Sequence, residues 1–150
     1  MEALLQQLRL LQSNSFIYYT KAHGYHWNVE GILFDQFHEM FSDIYNDAWS
    51  AVDNYAEWIR IFSEYAEYNV SNVLAASNVK YDLGMTNNPV EMLRSLSLSN
   101  DVIISDLKQA FILANNLEEQ GVADFIAGRI AVHQKWRWKI NSSLKTIINN

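Results

Sequence analysis

The chain has 150 residues, 49 % of them hydrophobic, and a formal net charge of −6 at pH 7, values that suit a single acidic domain with a sizeable core. The absence of cysteine excludes disulfides and thiolate metal sites, and the acidic balance argues against DNA binding through phosphate contacts. Only five glycines and one proline interrupt the sequence, which favours an all-helical fold.

The first predicted helix runs from Met1 to Asn28. Its apolar side is supplied by Leu4, Leu5, Leu8, Leu11, Phe16, Tyr18 and Tyr19. Gly31 follows, and a glycine there permits the turn into the next helix.

The second predicted helix is marked by apolar residues that recur at steps of three or four, which is typical of one buried helix face. These residues are Phe34, Phe37, Phe41, Ile44, Ala48, Val52, Tyr55, Ile59 and Phe62. No glycine or proline lies between Gly31 and Gly84. We therefore expect one unbroken helix from about Phe34 into the sixties.

Four side chains of types that can bind a metal lie on this helix or shortly before it in the sequence: His26, His38, Asp53 and Glu57. Asp53 and Glu57 are four residues apart and stack on one face. His38 lies about 60° round the helix axis from Asp53 but about 22 Å along it, and a ligand reaches its metal over about 2 Å. One chain therefore cannot bring both to one ion, whereas two antiparallel copies about a two-fold axis can. His26, twelve residues before His38, is a second candidate imidazole ligand.

Plainer interpretations of these residues stay open, because a histidine near an apolar stripe is often a core or interface residue and an Asp/Glu pair is often solvated. The apolar residues Val52 and Ala56, however, directly precede Asp53 and Glu57, so we expect partly buried carboxylates. Such carboxylates need a compensating cation, and Arg60 is the only Arg or Lys nearby. A metal held by two imidazoles and two carboxylates resolves this deficit, and the ligand set suits Fe(II), and also Zn or Mn.

The motif reads His26-Trp27-Asn28-Val29, a Gly, then His38-Glu39-Met40-Phe41, then Asp53-x-x-x-Glu57-x-x-Arg60. It resembles the ferroxidase stretch of Dps proteins, the DNA-binding-from-starved-cells branch of the ferritin superfamily. The resemblance implies that His26 and His38 of one subunit, with Asp53 and Glu57 of its two-fold mate, are iron ligands. It covers nearly the full chain and is strongest over residues 23–60.

The resemblance also implies a function: a ferroxidase that oxidises Fe(II) to Fe(III) with hydrogen peroxide, its preferred oxidant, or dioxygen. The ferric mineral would be stored in a hollow homo-oligomer, a spherical dodecamer built from two-fold dimers. Two other hypotheses stay open. One is a structural or nucleoid-compacting Dps-like protein with a degenerate metal site, and the other is a plain helix-bundle interaction module.

DNA binding is not expected. Some Dps proteins carry a lysine-rich N-terminal extension, whereas this sequence opens directly on its first helix, and residues 142–150 hold a single lysine. No basic segment with an apolar core opens the sequence, and no apolar run approaches about 18 residues. We therefore expect no signal peptide and no membrane span, and a cytoplasmic location.

Two residues beside the motif are candidates for auxiliary roles. His23, one turn before His26, is either an auxiliary ligand or a structural, hydrogen-bonding residue. Trp27 would adjoin the metal, where it either packs at the two-fold interface or limits radical damage.

The helical pattern of apolar residues becomes weaker between Glu64 and Gly84. A short helix around Val70 to Ala76 fits there, between the second and third long helices, and Dps proteins have such a helix at their dimer interface.

The third long helix has a strong start signal. Asn88 is the predicted N-cap, Pro89 fits the first turn, and Glu91 can complete a capping box. The helix is expected to end near Gly121. Its apolar residues are Met92, Leu96, Val102, Ile103, Leu107, Ala110, Phe111, Ala114 and Leu117.

A last helix is expected from about Ala123 to Ile148, with His133 in a structural role. Four long helices with one long crossing connection predict an all-α, ferritin-like four-helix bundle. No glutamate precedes any histidine by three residues, so the Glu-x-x-His pairs usual in ferritin bundles are absent. Their absence favours a site between subunits.

Acidic residues between the last two helices are candidates for guiding iron. In Dps cages this region lines the three-fold pores through which iron enters, but here the segment between Glu119 and Arg129 is shorter than usual. Glu118, Glu119 and Asp124 either draw in Fe(II) by their negative potential or form an acidic, solvated helix end.

A second acidic row lies on the second helix, where Glu39, Asp43 and Asp47 follow one another at four-residue steps. Facing a cage interior, these carboxylates would seed mineral. Facing solvent, they would aid solubility.

Overall fold

The computed structural model describes residues 1–148, with side chains to residue 145; residues 149 and 150, at the end of the tail with its single lysine, lie outside the described residues. The described part of the chain contains only helices and their connections. In order they are α1 (Glu2–Asn28), α2 (Phe34–Ile61), α3 (Val70–Ala76), α4 (Pro89–Asn116) and α5 (Gln120–Ile148). The predicted bundle, with a short extra helix between the second and third long helices, is confirmed.

The bundle is built from two helix pairs. Helix α1 packs along α2, α4 packs along α5, and α1 also contacts α4 and α3. The turn between α1 and α2 passes through Gly31, whose φ of 119° is easily adopted only by a residue without a Cβ. No helix in the described residues is long and apolar enough to cross a membrane.

Helix α2 is unbroken, as predicted, but its buried stripe differs from the prediction at three positions, one of which is Phe62, half-buried at the C-cap. The buried residues are Phe37, Phe41, Ile44, Ala48, Ala51, Tyr55 and Ile59. Ala51 continues the stripe in place of Val52, which is half-buried. Phe34 is 40 % exposed because it lies in the first turn, where its ring stacks on His38 instead of entering the core.

The long connection between α2 and α4 is tied to the bundle by Asn14 of α1. The Asn14 Oδ1 accepts hydrogen bonds from the Ser77 hydroxyl and from the backbone N–H groups of Asn78 and Val79. Its Nδ2 donates to Asp106 on α4. Asn14 is fully buried, so this one side chain replaces water for several polar groups of the connection.

The start of α4 differs from the predicted capping box. The Asn88 side chain accepts from the Val90 N–H, as expected of an N-cap, and Pro89 begins the helix. The Asn88 N–H, however, donates to the Thr86 hydroxyl, and that hydroxyl donates to Glu91. The Thr86 hydroxyl therefore accepts the hydrogen bond from the Asn88 N–H that the Glu91 side chain would accept in a capping box.

Helix α4 also ends earlier than predicted, at Asn116, and α5 begins at Gln120. Two residues predicted for the apolar face of α4, Phe111 and Leu117, are 36 % and 41 % exposed. They lie off the stripe, whose last turns are formed by Leu107, Ala110 and Ala114.

Candidate metal centre

The structure brings His26 and His38 together where α1 ends and α2 begins. Their rings are stacked, with centroids 3.6 Å apart and planes at 20°, and both residues are half-buried. The helix pairing thus joins two side chains that lie twelve residues apart in the sequence.

Each of these rings is held by the backbone of the other residue. The Nδ1 of His26 lies 2.7 Å from the His38 carbonyl oxygen, and the Nδ1 of His38 lies 2.7 Å from the His26 carbonyl oxygen. A carbonyl oxygen only accepts, so both Nδ1 atoms must carry the proton. The Nε2 of each ring is then the nitrogen that can bind a metal, in the arrangement typical of histidine ligands.

The predicted carboxylates lie elsewhere on the same chain. Asp53 and Glu57 are both exposed on α2, which corrects our expectation that they are partly buried. Because α2 is continuous, the helical rise separates His38 from Asp53 by about 22 Å. Within residues 1–148 no three histidine, aspartate or glutamate side chains cluster to hold a metal. Each described chain therefore carries the two halves of the predicted site at separate places.

His23 takes a hydrogen-bonding position inside an aromatic environment. Its Nδ1 lies 3.1 Å from the Tyr19 hydroxyl, and its ring stacks on Tyr45 at 3.9 Å. Trp27, 66 % exposed, lies 4.1 Å from the His23 ring. Burial and the neighbouring His26 lower the pKa of His23.

The centre of the bundle is occupied by a polar network that sequence reasoning missed in part. Arg129 of α5 makes a bidentate ion pair with Asp47 of α2, at 2.7 and 2.8 Å, and its side chain also donates to the Nε2 of His133 at 3.1 Å. Asn100 of α4 accepts from the Nδ1 of His133 and donates to its carbonyl oxygen. The structural role expected for His133 agrees with this geometry.

This network explains two pKa shifts. Burial lowers the pKa of His133 to about 3, with a further contribution from the positive charge of Arg129. Burial raises the pKa of Asp47, but its hydrogen bonds and ion pair with Arg129 outweigh burial and bring the pKa below its ordinary value. Asp47 is therefore committed to an ion pair, which corrects its inclusion in the acidic row available for mineral.

The remaining acidic candidates lie at the surface. Glu39 and Asp43 are exposed on α2. Glu118, exposed, and Glu119, half-buried, lie at the turn between α4 and α5, and Asp124 is exposed on the first turns of α5. Glu118 has a φ of 58°, the left-handed conformation that commonly ends a helix, and its N–H donates to the Asn115 carbonyl oxygen.

Comparison with known proteins agrees with the fold. A family model described as the ferritin-like domain matches residues 3–148. The DNA protection during starvation protein of Brevibacillus brevis is 26 % identical over 133 residues, which cover 89 % of each chain.

Solved structures give the same result. Dps from Staphylococcus aureus superimposes with a TM-score of 0.91 and 27 % identity, covering 96 % of both chains. Another match, with a TM-score of 0.91 and 24 % identity, covers 95 % of this chain and 89 % of a Vibrio cholerae O1 Dps protein described as a member of the ferritin-like diiron-carboxylate proteins.

Proposed function

Since the chain belongs to the ferritin-like family, in its Dps branch, we propose that it is a ferroxidase that stores iron. Fe(II) is the substrate, and it is oxidised at sites between two-fold-related subunits. His26 and His38 of one subunit and Asp53 and Glu57 of its partner hold the ion. The ferric product is deposited inside a hollow homo-oligomer, a dodecamer of six such dimers.

The observation that carries this proposal is the His26/His38 pair. Two stacked imidazoles, each fixed through Nδ1, leave both Nε2 atoms available to a cation. A pair of core histidines with a purely structural role would have both ring nitrogens engaged, as His133 does. The arrangement therefore supports a ligand role for this pair.

The length of α2 supports placing the site between subunits. If two α2 helices pack antiparallel about a two-fold axis, the end of one that carries His38 lies beside the end of the other that carries Asp53 and Glu57. The two carboxylates are exposed in the single chain and so are available to a partner. The partner would bury them against imidazoles and a cation, which offsets their desolvation.

The residues divide the chemistry between them. The imidazoles and carboxylates together form the mixed nitrogen and oxygen ligand set that suits Fe(II). Oxidation to Fe(III) raises the charge of the ion, and the anionic carboxylates of Asp53 and Glu57 stabilise that product more than the substrate. Hydrogen peroxide, or dioxygen in its absence, accepts the electrons.

The surface carboxylates have supporting roles in this proposal. Glu118, Glu119 and Asp124 provide negative potential that guides Fe(II) towards the interior. Glu39 and Asp43 provide carboxylates on which ferric mineral begins to form. Within the described residues, the Asp47 carboxylate is engaged by Arg129 and is therefore not available as a metal ligand inside one subunit.

A second candidate function, compaction of DNA with little ferroxidase activity, is favoured by the relative named for DNA protection. The net charge of −6 opposes it, because phosphate contacts need clustered lysines and arginines. A gel shift at physiological salt separates the two functions. Light scattering separates a cage from a monomeric or dimeric interaction module.

The proposed function is tested by loading the protein with Fe(II) without oxygen and then adding hydrogen peroxide. The wild type is compared with the double variant His38→Ala, Asp53→Ala. We expect rapid formation of the ferric absorbance in the wild type and its loss in the variant. Equal oxidation rates in the two proteins would remove these residues from the reaction.

A further inference from the structure

Side chains from all four long helices meet in the centre of the bundle, around the guanidinium of Arg129. They are Tyr18 of α1, Asp47 of α2, Asn100 of α4 and His133 of α5. Arg129 and His133 are both buried. Because an arginine side chain is always protonated in a protein, the centre of the bundle holds a permanent positive charge.

Two acceptors from different helices meet one nitrogen of this guanidinium. The Nη2 of Arg129 donates to the Oδ2 of Asp47 at 2.8 Å and to the Nε2 of His133 at 3.1 Å. A carboxylate oxygen and an imidazole nitrogen are also atoms that bind divalent transition metals. Metal ligands lie about 2 Å from their ion, so each acceptor would move by only about 1 Å to bind an ion placed at Nη2.

His133 is held in the tautomer of a metal ligand. Arginine only donates, so the Nε2 of His133 carries no proton and directs its lone pair at Arg129. The Nδ1 carries the proton and donates to the Oδ1 of Asn100 at 2.7 Å. Metal-binding histidines have the same arrangement, in which one ring nitrogen donates to a neighbouring oxygen and the other binds the ion.

The stability of the fold does not by itself account for a charged pair at this position. Buried ion pairs lose the hydration of both charges, and replacing them by apolar side chains of similar size is often neutral or stabilising. Burial acts to lower the pKa of Arg129, but the hydrogen bonds and charges of Asp47 and Tyr55 outweigh burial and raise it. The surroundings of Arg129 are therefore arranged to hold a cation.

We propose that Arg129 determines where the protein binds metal, because its guanidinium takes the position of a divalent ion between Asp47 and His133. While the guanidinium is there, neither side chain is available to Fe(II) or to a similar ion. A metal site within a single chain therefore does not form at the bundle centre. The inference does not depend on the proposed ferroxidase site, since it concerns other residues and a different place in the fold.

The inference predicts a metal site that appears when the guanidinium is removed. Arg129→Ala leaves a cavity between the Asp47 carboxylate and the His133 imidazole. A divalent ion that keeps some of its water can replace the lost positive charge there. Such an ion binds the folded chain only, so it should also stabilise the variant against unfolding. If the ion pair were purely structural, the variant would lose stability and gain no affinity for metal.

The experiment measures Co(II) binding, because Co(II) accepts nitrogen and oxygen ligands and its visible absorption changes with them. The background chain lacks the proposed iron ligands and carries His26→Ala, His38→Ala, Asp53→Ala and Glu57→Ala. In this background we expect Arg129→Ala to bind one additional Co(II) per chain, with a new visible absorption band. Co(II) should also raise the urea concentration at which the variant unfolds. Adding His133→Gln should abolish both effects.

The structure provides a matched control two helical turns away on α5. Arg137 pairs with Asp101, but this pair lies at the surface, where water hydrates both charges. Arg137→Ala in the same background should therefore bind no additional Co(II). Arg129→Gln is a second test variant, in case Arg129→Ala does not fold. Its amide carries no charge, can donate to Asp47 and offers an oxygen to the ion.

Three results would overturn the inference. The first is Co(II) binding that depends on His133 while Arg129 is still present. The second is no additional Co(II) in the Arg129 variants although circular dichroism shows that they are folded. The third is a failure of both variants to fold with Co(II) as well as without it, whereas folding only with Co(II) would support the inference. The proposed function is tested separately, by peroxide oxidation in chains that keep all four proposed iron ligands.

Discussion

His26 and His38 each donate the Nδ1 proton to the backbone carbonyl oxygen of the other residue, at 2.7 Å in both directions. The two imidazoles are thereby held by main-chain atoms and not by each other's side chains. Replacing one ring leaves the hydrogen bond of the other in place. The contribution of each histidine to metal binding can therefore be measured with the other ring still in place.

The first prediction concerns these two ligands. His26→Ala and His38→Ala should each weaken Fe(II) binding by more than about 100-fold, since losing even a supporting partner of a ligand costs about 10- to 100-fold. Anaerobic calorimetry measures the affinity. Gln36→Ala, an exposed change on the first turn of α2, is the control and should bind Fe(II) normally. Unchanged affinity in either histidine variant would refute its ligand role.

The second prediction concerns the buried ion pair. Asp47→Ala leaves the Arg129 guanidinium, 8 % exposed, without its counter-ion, and should lower the free energy of unfolding by about 3–5 kcal/mol. Asp101→Ala breaks the exposed pair with Arg137 and should cost less than about 1 kcal/mol. Urea unfolding at one fixed protein concentration compares them. Similar losses in both variants would contradict the importance given to burial.

The third prediction is a pH dependence of stability that arises from His133. Its pKa is about 3 in the folded chain against an ordinary value near 6.5, so between these values the unfolded state binds more protons. Stability should therefore fall as the pH drops, by about 2 kcal/mol between pH 7 and pH 5.

The groups that face His133 are Arg129 on its own helix, Asp47 on α2, Tyr18 on α1 and Asn100 on α4. The lowered pKa of Asp47 acts in the same direction, but only at a pH below the ordinary range of an aspartate. Urea unfolding of the wild type and of His133→Gln at both pH values isolates the effect of His133. A loss of stability on acidification that is the same in both proteins would argue against it.

The fourth prediction concerns Asn14. Asn14→Ala removes the acceptor shared by Ser77, Asn78 and Val79 and should destabilise the fold by about 1–3 kcal/mol. The amides of Asn78 and Val79 should exchange hydrogen faster. Asn115→Ala loses only one exposed hydrogen bond to the Phe111 carbonyl and should change little. Equal exchange in Asn14→Ala and the wild type would show that other contacts hold the connection.

The helices and the division of the site into two halves could be predicted from sequence because both depend on local geometry. An uninterrupted apolar period fixed the span of α2, and the rise of an α-helix then fixed the separation of His38 from Asp53. The short helix over residues 70–76 was likewise found in its predicted place.

Other features could not be predicted because they depend on which helices meet. Asp47 and Arg129 are 82 residues apart, and their pairing follows from the packing of α5 beside α2. We expected Asp53 and Glu57 to be partly buried because an apolar residue precedes each of them. Adjacent residues of a helix point to different faces, however, so the burial of one does not extend to the next. The two hydrogen bonds of the Thr86 hydroxyl at the start of α4 were not predicted, because Thr86 is a loop residue outside the capping-box pattern.

The claim that the site lies between subunits is tested most directly by complementation. A chain with His26→Ala and His38→Ala is co-refolded with an equal amount of a chain with Asp53→Ala and Glu57→Ala. Each variant alone should be inactive, because every site lacks one half.

A mixed dimer, in contrast, has one site with both halves intact and one with neither. Equal mixing makes about half of the dimers mixed, so the oxidation of Fe(II) by peroxide should recover to about a quarter of the wild-type rate. Assemblies that contain both chains yet stay as inactive as either variant alone would contradict the account.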